Sequence, residues 1–233
     1  MNATPPDHIP KGNRLVIAVD GPAGAGKGAV CRAAATRCHL AYLETGAIYR
    51  ALGLLAHNEQ LETPQALAQR AANMPFSYRA MGGGIFRAFL ADEDVTDTLR
   101  TEAIGQAASR IAAIPTVRTA LLAFQRHYEA GQNLILDGRD VGTVVWPDAD
   151  LKIYLTASLE ERANRRLREL HTAGKNASFS EVCAAMAERD QRDAGRTDAP
   201  LKPAIDAILL DTTQLTLTQS IDRVVEWIKN TLK

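Results

Sequence analysis

The segment GPAGAGKG at residues 21–28 carries the densest chemical signal in the chain. Gly21, Gly26 and Lys27 fit the spacing G-x-x-x-x-G-K, directly after the apolar run RLVIAV (14–19) and Asp20. A strand entering such a loop and a helix leaving it gather backbone N–H groups, an ammonium and the positive end of a helix around one anion. The chemistry implied is the binding of a nucleotide polyphosphate along Gly21, Pro22, Ala23, Gly24, Ala25, Gly26, Lys27, Gly28 and Ala29, with Lys27 toward its β/γ end. The residue after Lys27 is Gly28, where ATPases with this loop place a Ser or Thr hydroxyl on Mg²⁺. That substitution argues against a switch GTPase or a motor. Mg²⁺ is expected on phosphate oxygens and water, with no direct protein ligand. Asp137, closing the apolar run LILD, is the carboxylate expected to anchor those waters.

The elements that must position these groups follow from periodicity. RLVIAV, a possible short strand at 41–43, NLILD (133–137), LKIYL (151–155) and AILLD (207–211) read as buried strands. Helical stretches lie between them: one running through Cys38, one opening at ETGAIYRALGLLA, one capped by Thr63-Pro64, two at about 100–112 and 115–129 stopped by Gly131, and two opened by the capping-box pairs Ser158/Glu161 and Ser178/Glu181. A last helix carries Ile221, Val224, Val225, Ile228 and Leu232 on one face. Apolar strands alternating with helices predict an α/β fold with a parallel sheet covered on both faces. FSYRAM, GGG and IFRAFL break that alternation as two strands joined by a glycine turn, the mark of an inserted subdomain.

Composition narrows the partners. The chain has 233 residues, with 27 Lys plus Arg balanced by 27 Asp plus Glu, so bulk binding of nucleic acid or acidic membrane is not expected. Cys31, Cys38 and Cys183 form no C-x-x-C, and on one helix Cys31 and Cys38 would stand about 10 Å apart along the axis, beyond disulfide reach. An odd, unpaired set predicts a reducing compartment, the cytoplasm. MNATPPDHIPKGN at 1–13 has no apolar core and reads as a disordered tail, not a signal peptide. The histidines show no ligand spacing.

GPAGAGKG, ETGAIYRA, LILDGRDVGTVV, PDA, LKIYL, RDQRDAGRTDAPL and DAILLDTT together resemble the bacterial cytidylate kinases, from about residue 14 to 230. The loop alone is common to many kinases, whereas TGAIYR, DGRDVG and RDQRDAGRTDAPL are far more specific. The resemblance implies a P-loop kinase core with a five-stranded parallel sheet flanked by helices, one domain over 14–233. It also implies an inserted small-β nucleoside-monophosphate-binding subdomain at about 63–112 and a helical lid at about 160–200. It implies transfer of the γ-phosphoryl group of ATP, with Mg²⁺, to CMP or dCMP, by a monomer whose partners are small molecules.

Such transfer is mostly positioning and charge neutralisation, for which arginine's planar fork is suited. By resemblance, Lys27, Arg50, Arg139 and Arg196 are catalytic, Arg50 and Arg139 gripping the acceptor phosphate and Arg196 entering from the lid. Ser109, Arg118 and Asp140 are implied at the base, Asp193 with Arg189 at the sugar hydroxyls, and Thr45 and Tyr49 in the same pocket. Arg189, Arg192 and Arg196 have the spacing of one helix face with some fraying, read here as a phosphate-facing set in preference to a solvated face paired with Glu188, Asp190 and Asp193. Arg162, Arg165, Arg166 and Arg168 crowd another helix, divided between a place near ATP and ordinary surface. Glu44 stands where the family usually has Asp, and Ala29 where it has Thr or Ser, which removes one hydroxyl near the ATP α-phosphate. Neither change removes a charge, so altered kinetics are expected. The alternatives are another P-loop small-molecule kinase of UMP or shikimate type, or a non-catalytic nucleotide-binding module.

Overall fold

The structure is a computed structural model that describes residues 14–82, 85–128 and 132–232. The expected tail over 1–13, the glycines at 83 and 84, and the helix stop at Gly131 lie outside the described residues. In chain order the elements are β1 (Val16–Asp20), α1 (Lys27–Cys38), β2 (Ala41–Glu44), α2 (Thr45–Asn58), α3 (Pro64–Ala72), β3 (Phe76–Ala80), β4 (Phe86–Leu90), β5 (Glu93–Asp94), α4 (Thr96–Leu99), α5 (Glu102–Ile111) and α6 (Pro115–His127). They continue with β6 (Leu134–Asp137), a single π-helical turn (Val141–Val145), β7 (Leu151–Thr156), α7 (Leu159–Thr172), α8 (Phe179–Ala194), β8 (Ile208–Asp211) and α9 (Leu217–Thr231).

A five-stranded parallel sheet has the order β2-β6-β1-β7-β8. β1 pairs with β7, setting Ile17 opposite Leu151, and β7 pairs with β8, setting Ile153 opposite Ile208. VIAV and LIL are buried at every position, as strands covered on both faces must be. β8 is one of the two edges, and there Ile208 and Leu209 remain exposed. The chain folds into two compact units, one built on 41–134 and the other on 16–40 with 135–232.

In the first unit, β3, β4 and β5 form an antiparallel sheet, one short strand more than the expected hairpin, with Phe76 opposite Leu90 and Ala80 opposite Phe86. Tyr42 meets Tyr78 and Phe86 edge-on, and Tyr128 Oη both donates to the Tyr78 carbonyl (2.6 Å) and accepts its N–H (3.2 Å). Thr63 caps α3 as expected, accepting the Ala66 N–H. On α2, a Cβ at Gly53 would sit 3.4 Å from Ala107 Cβ and 3.5 Å from Ala108 N, so the missing side chain lets α5 pack closely.

In the second unit, α9 packs on α1, and its Ile221, Val224, Val225 and Ile228 are buried. Leu232 does not join that face. The helix ends at Thr231, and Leu232 projects past the last buried turn, half exposed. The capping box at Ser178/Glu181 forms in full, but the one at Ser158/Glu161 forms only by half. Ser158 accepts the Glu161 N–H, yet its own N–H donates to Thr213 Oγ1, and the Glu161 carboxylate is taken by Arg165. α7 and α8 pack as a hairpin around Ala163, Val182 and Met186.

Candidate nucleotide and phosphoryl-transfer site

Between β1 and α1 the loop turns through Gly21 (φ +145°), Gly24 (+74°) and Gly26 (+97°). At Gly21 the backbone conformation is one that L side chains rarely adopt, and a Cβ would overlap the Leu155 carbonyl on β7. Gly26, left-handed, caps α1, so the helix opens at Lys27. The loop's carbonyls are engaged by its surroundings. Lys27 Nζ donates to Gly21 O (2.7 Å) and Pro22 O (2.8 Å). Arg162 Nη1 donates to Ala23 O (3.1 Å), while Arg165 Nη1 and Thr212 Oγ1 both donate to Ala25 O (3.3 Å each). The lone pairs that would repel a phosphate are thereby occupied, and the loop's amides are the groups left for an anion.

The charges around Lys27 are buried together. Burial, then Arg139, holds its ammonium below the usual lysine value, with Asp137 and Asp20 acting in the opposite sense. Asp137 is only 4% exposed at the end of β6. A Cβ at Gly28 would lie 3.6 Å from Asp137 Oδ2 and 3.1 Å from Arg32 Nη1, so the position that lacks a hydroxyl adjoins this carboxylate. Burial pushes the Cys31 thiol far up, which removes it as a nucleophile.

Beyond β6, Arg139 Nε donates to Asp193 Oδ2 (2.9 Å), and Arg196 Nη2 donates to Asp193 Oδ1. Asp193 is 2% exposed. Burial alone would raise its pKa, but Arg139, Arg196 and Arg189 together hold it below the usual carboxylate range. Of the residues expected at the sugar, Asp193 therefore carries two arginines, and its two oxygens keep acceptor capacity for a hydroxyl as well. Arg139, Asp193 and Arg196 are brought together with the loop's own unit. Asp140, 8% exposed, precedes the π-helical turn, and its carbonyl accepts the Val144 and Val145 N–H groups (2.9 and 3.2 Å).

The expected single helical face of Arg189, Arg192 and Arg196 is not formed. α8 ends at Ala194, Arg196 lies beyond it, and Arg192 is exposed on Glu188 (3.2 Å). The Arg-rich helix divides by face. Arg162 is buried on Asp190 (2.7 Å) and Arg165 grips Thr212, whereas Arg166 and Arg168 pair at the surface with Glu169 and Glu161.

The remaining expected residues belong to the other unit. Thr45, buried, Tyr49 and Arg50 lie in the first turns of α2, and Arg50 Nη1 donates to Glu44 Oε1 (2.7 Å). The longer Glu44 thus acts as the arginine's partner. Ser109 is part-buried on α5, and Arg118 on α6 donates to Ala112 O (3.4 Å). Among the described residues, no three His, Cys, Asp or Glu side chains gather as a metal-ligand set. Sequence reasoning missed Arg162, Arg165 and Thr212 as holders of the loop, and Asp20 as anything more than a strand end.

The sequence model of the cytidylate kinase family matches residues 17–230. A cytidylate kinase from Magnetococcus marinus is 54% identical over 220 residues, covering 94% of this chain and 98% of that relative. One from Vibrio parahaemolyticus is 44% identical over 219 residues, covering 93% and 96%. Among solved structures, an uncharacterized protein from Eubacterium ventriosum superposes with a TM-score of 0.51 at 10% identity, covering 93% of this chain and 99% of that one, a likeness of fold alone. With the family match spanning the phosphate loop, the Arg139 turn and the Asp193 pair, the chain belongs to the cytidylate kinase family.

Proposed function

We propose that this chain transfers the γ-phosphoryl group of ATP to CMP or dCMP, giving ADP and CDP or dCDP, in pyrimidine nucleotide metabolism. The observation that carries this is the family match over 17–230, which includes a glycine loop whose carbonyls are all turned to cations or a hydroxyl at residues 21, 22, 23 and 25. Lys27 and the loop N–H groups between Gly21 and Ala29, Pro22 having none, hold the ATP phosphates. Arg50 and Arg139 bind the acceptor phosphate, and Arg196 neutralises charge on the transferring group, the electrostatic work that dominates this reaction class. Ser109, Arg118 and Asp140 read the cytosine, with Thr45 beside them, and Asp193 with Arg189 takes the sugar hydroxyls. An ionised Asp140 is acceptor-only, which suits the N4 hydrogens of cytosine and repels the carbonyl that uracil has there.

Mg²⁺ is proposed to arrive with ATP. Beside Gly28, which has no hydroxyl, the site offers it the buried carboxylate of Asp137. That donor set suits a cation that keeps several waters and binds chiefly through phosphate oxygens. When bound it would neutralise charge between the β- and γ-phosphates, and Asp137 would orient its waters.

The subdomain at about 63–112 is proposed to bind the nucleoside monophosphate and the segment at about 160–200 to act as the lid. No single helix among the described residues is long and apolar enough to cross a membrane. The cytoplasm is proposed as the compartment on the ground of three free cysteines, and a monomer as the working unit, which light scattering tests. A coupled assay of ADP formation with CMP, dCMP, UMP, AMP and shikimate tests the activity. Turnover confined to CMP and dCMP is expected, and preferred turnover of any other acceptor overturns the assignment.

A further inference from the structure

Beyond its charge near Lys27, Asp20 has no role in the chemistry above, yet its side chain is placed between the two halves of that chemistry. It is the last residue of β1, so its main chain leads straight into Gly21. Its carboxylate is 4% exposed, with Oδ1 accepting the Val141 N–H and Oδ2 the Gly142 N–H, each at 2.7 Å. Those two amides follow directly on Arg139 and Asp140.

The segment so held is unusual. Val141–Val145 is a π-helical turn, a conformation that needs outside support and concentrates at functional sites. One amide on each carboxylate oxygen fixes the planes of two successive peptides, and so the direction in which the preceding side chains leave the backbone. Packing closes the other side. A Cβ at Gly142 would lie 3.4 Å from Asp20 Oδ2 and 3.2 Å from Lys152 Cδ. The titratable groups bearing on Asp20 include Asp140 and Lys27, with Tyr154 opposite it on β7 and Cys31 of α1. Burial lifts its pKa to about 6 despite the two amide donors, so at neutral pH an ionised group is kept in place against its own desolvation.

We propose that Asp20 is a positioning residue for the acceptor nucleotide: its carboxylate clamps the Val141–Gly142 backbone and so aims Arg139 at the phosphate and Asp140 at the base, while its own peptide sets the start of the ATP-binding loop. This rests on the proposed CMP kinase activity. Asparagine cannot replace the clamp, because its single acceptor oxygen can serve one amide while its NH₂ faces the other.

The test uses the full chain as wild type, Asp20→Asn and Gly142→Ala, with steady-state kinetics for CMP and UMP and calorimetric titration of ATP. For Asp20→Asn, kcat/KM for CMP is expected to fall about tenfold or more, mainly through KM, with a lower CMP-to-UMP ratio. ATP affinity is expected to stay within about threefold, since the loop carbonyls keep their own donors. Gly142→Ala, which presses a methyl on the same carboxylate, is expected to produce the same CMP-selective loss and decides the matter if Asp20→Asn does not fold. An unchanged KM for CMP in either folded variant overturns the proposal, as does an equal loss of ATP and CMP binding, which would make Asp20 a general structural residue. A wild type inactive on CMP would instead refute the proposed activity. In that case, rapid hydrogen exchange at the Val141 and Gly142 amides would overturn the clamp, and slow exchange would support it.

Discussion

Replacing Asp193 with alanine removes the shared counter-ion of Arg139 and Arg196. The carboxylate is 2% exposed and the two guanidinium side chains 18% and 11%, so solvent can compensate little of the charge left behind. Breaking a buried pair from one side costs about 3–5 kcal/mol, and residual access at the arginines places Asp193→Ala near the lower figure. A loss of about 3 kcal/mol lowers Tm by roughly 6–12 °C in a chain of this size. The sign with pH follows from the depressed carboxylate value. Its stabilisation is fully present above the unfolded pKa of about 4 and is lost as pH falls through the lower folded value. Urea midpoints of wild type and variant should therefore differ at pH 7 and converge below pH 4. Inorganic phosphate, by supplying an anion to the same arginines, should raise the variant's midpoint more than the wild type's. A pH-independent difference, or one under about 1 kcal/mol at pH 7, would refute Asp193 as the counter-ion on which this site depends.

Lys27→Ala should keep its circular dichroism spectrum and lose on the order of 10²–10³ in turnover, since the ammonium meets charge on the transferring group, and near wild-type rates would contradict that role. Asp140→Ala should collapse the CMP-to-UMP ratio of kcat/KM from a wild-type preference that can reach roughly 10⁴–10⁵ at sites that reject an unpaired analogue, whereas equal losses on both substrates would make Asp140 a structural neighbour of Arg139. Gly21→Ala combines positive φ with overlap on the Leu155 carbonyl, so a loss above about 3 kcal/mol in urea denaturation is expected and a soluble, fully stable variant is not. Asp20, raised to about 6, binds its proton more tightly folded than unfolded. Wild type should accordingly gain stability relative to Asp20→Asn as pH falls from 7 toward 4, and parallel urea midpoints across that range would count against it.

The loop and the central strands were legible because their signals are local. VIAV and LIL can be little else than buried strands, and G-x-x-x-x-G-K needs only its flanking elements. DGRDVG was legible as a motif but not as a π-helical turn, since its shape depends on Asp20, more than a hundred residues earlier in the chain. Arg162 and Arg165 could not be sorted from Arg166 and Arg168 by spacing alone, because nothing in the helix says which face meets the loop. Gly195 is the residue type that ends a helix, and α8 ends there as its sequence implies, so helical spacing could not be carried on to Arg196. The half-formed Ser158 box was hidden by a competing partner, Thr213, brought in from beyond β8.

The α7–α8 hairpin has mechanical consequences. Near one end Arg162, braced by Asp190 of α8, ties it to Ala23, Arg165 ties it to Ala25 and Thr212, and a Cβ at Gly24 would strike Met186 Cε at 2.6 Å. The opposite end, where Thr172 gives way to Gly174, has no such fastenings among the bonds described. Any tilt of the hairpin would therefore turn about its fastenings on the phosphate loop. From Arg162 to Thr172 the arm is about 15 Å, so a tilt of about 10° at the root carries the tip about 3 Å. Such a tilt would carry the exposed Arg168, partway out along the arm, with it.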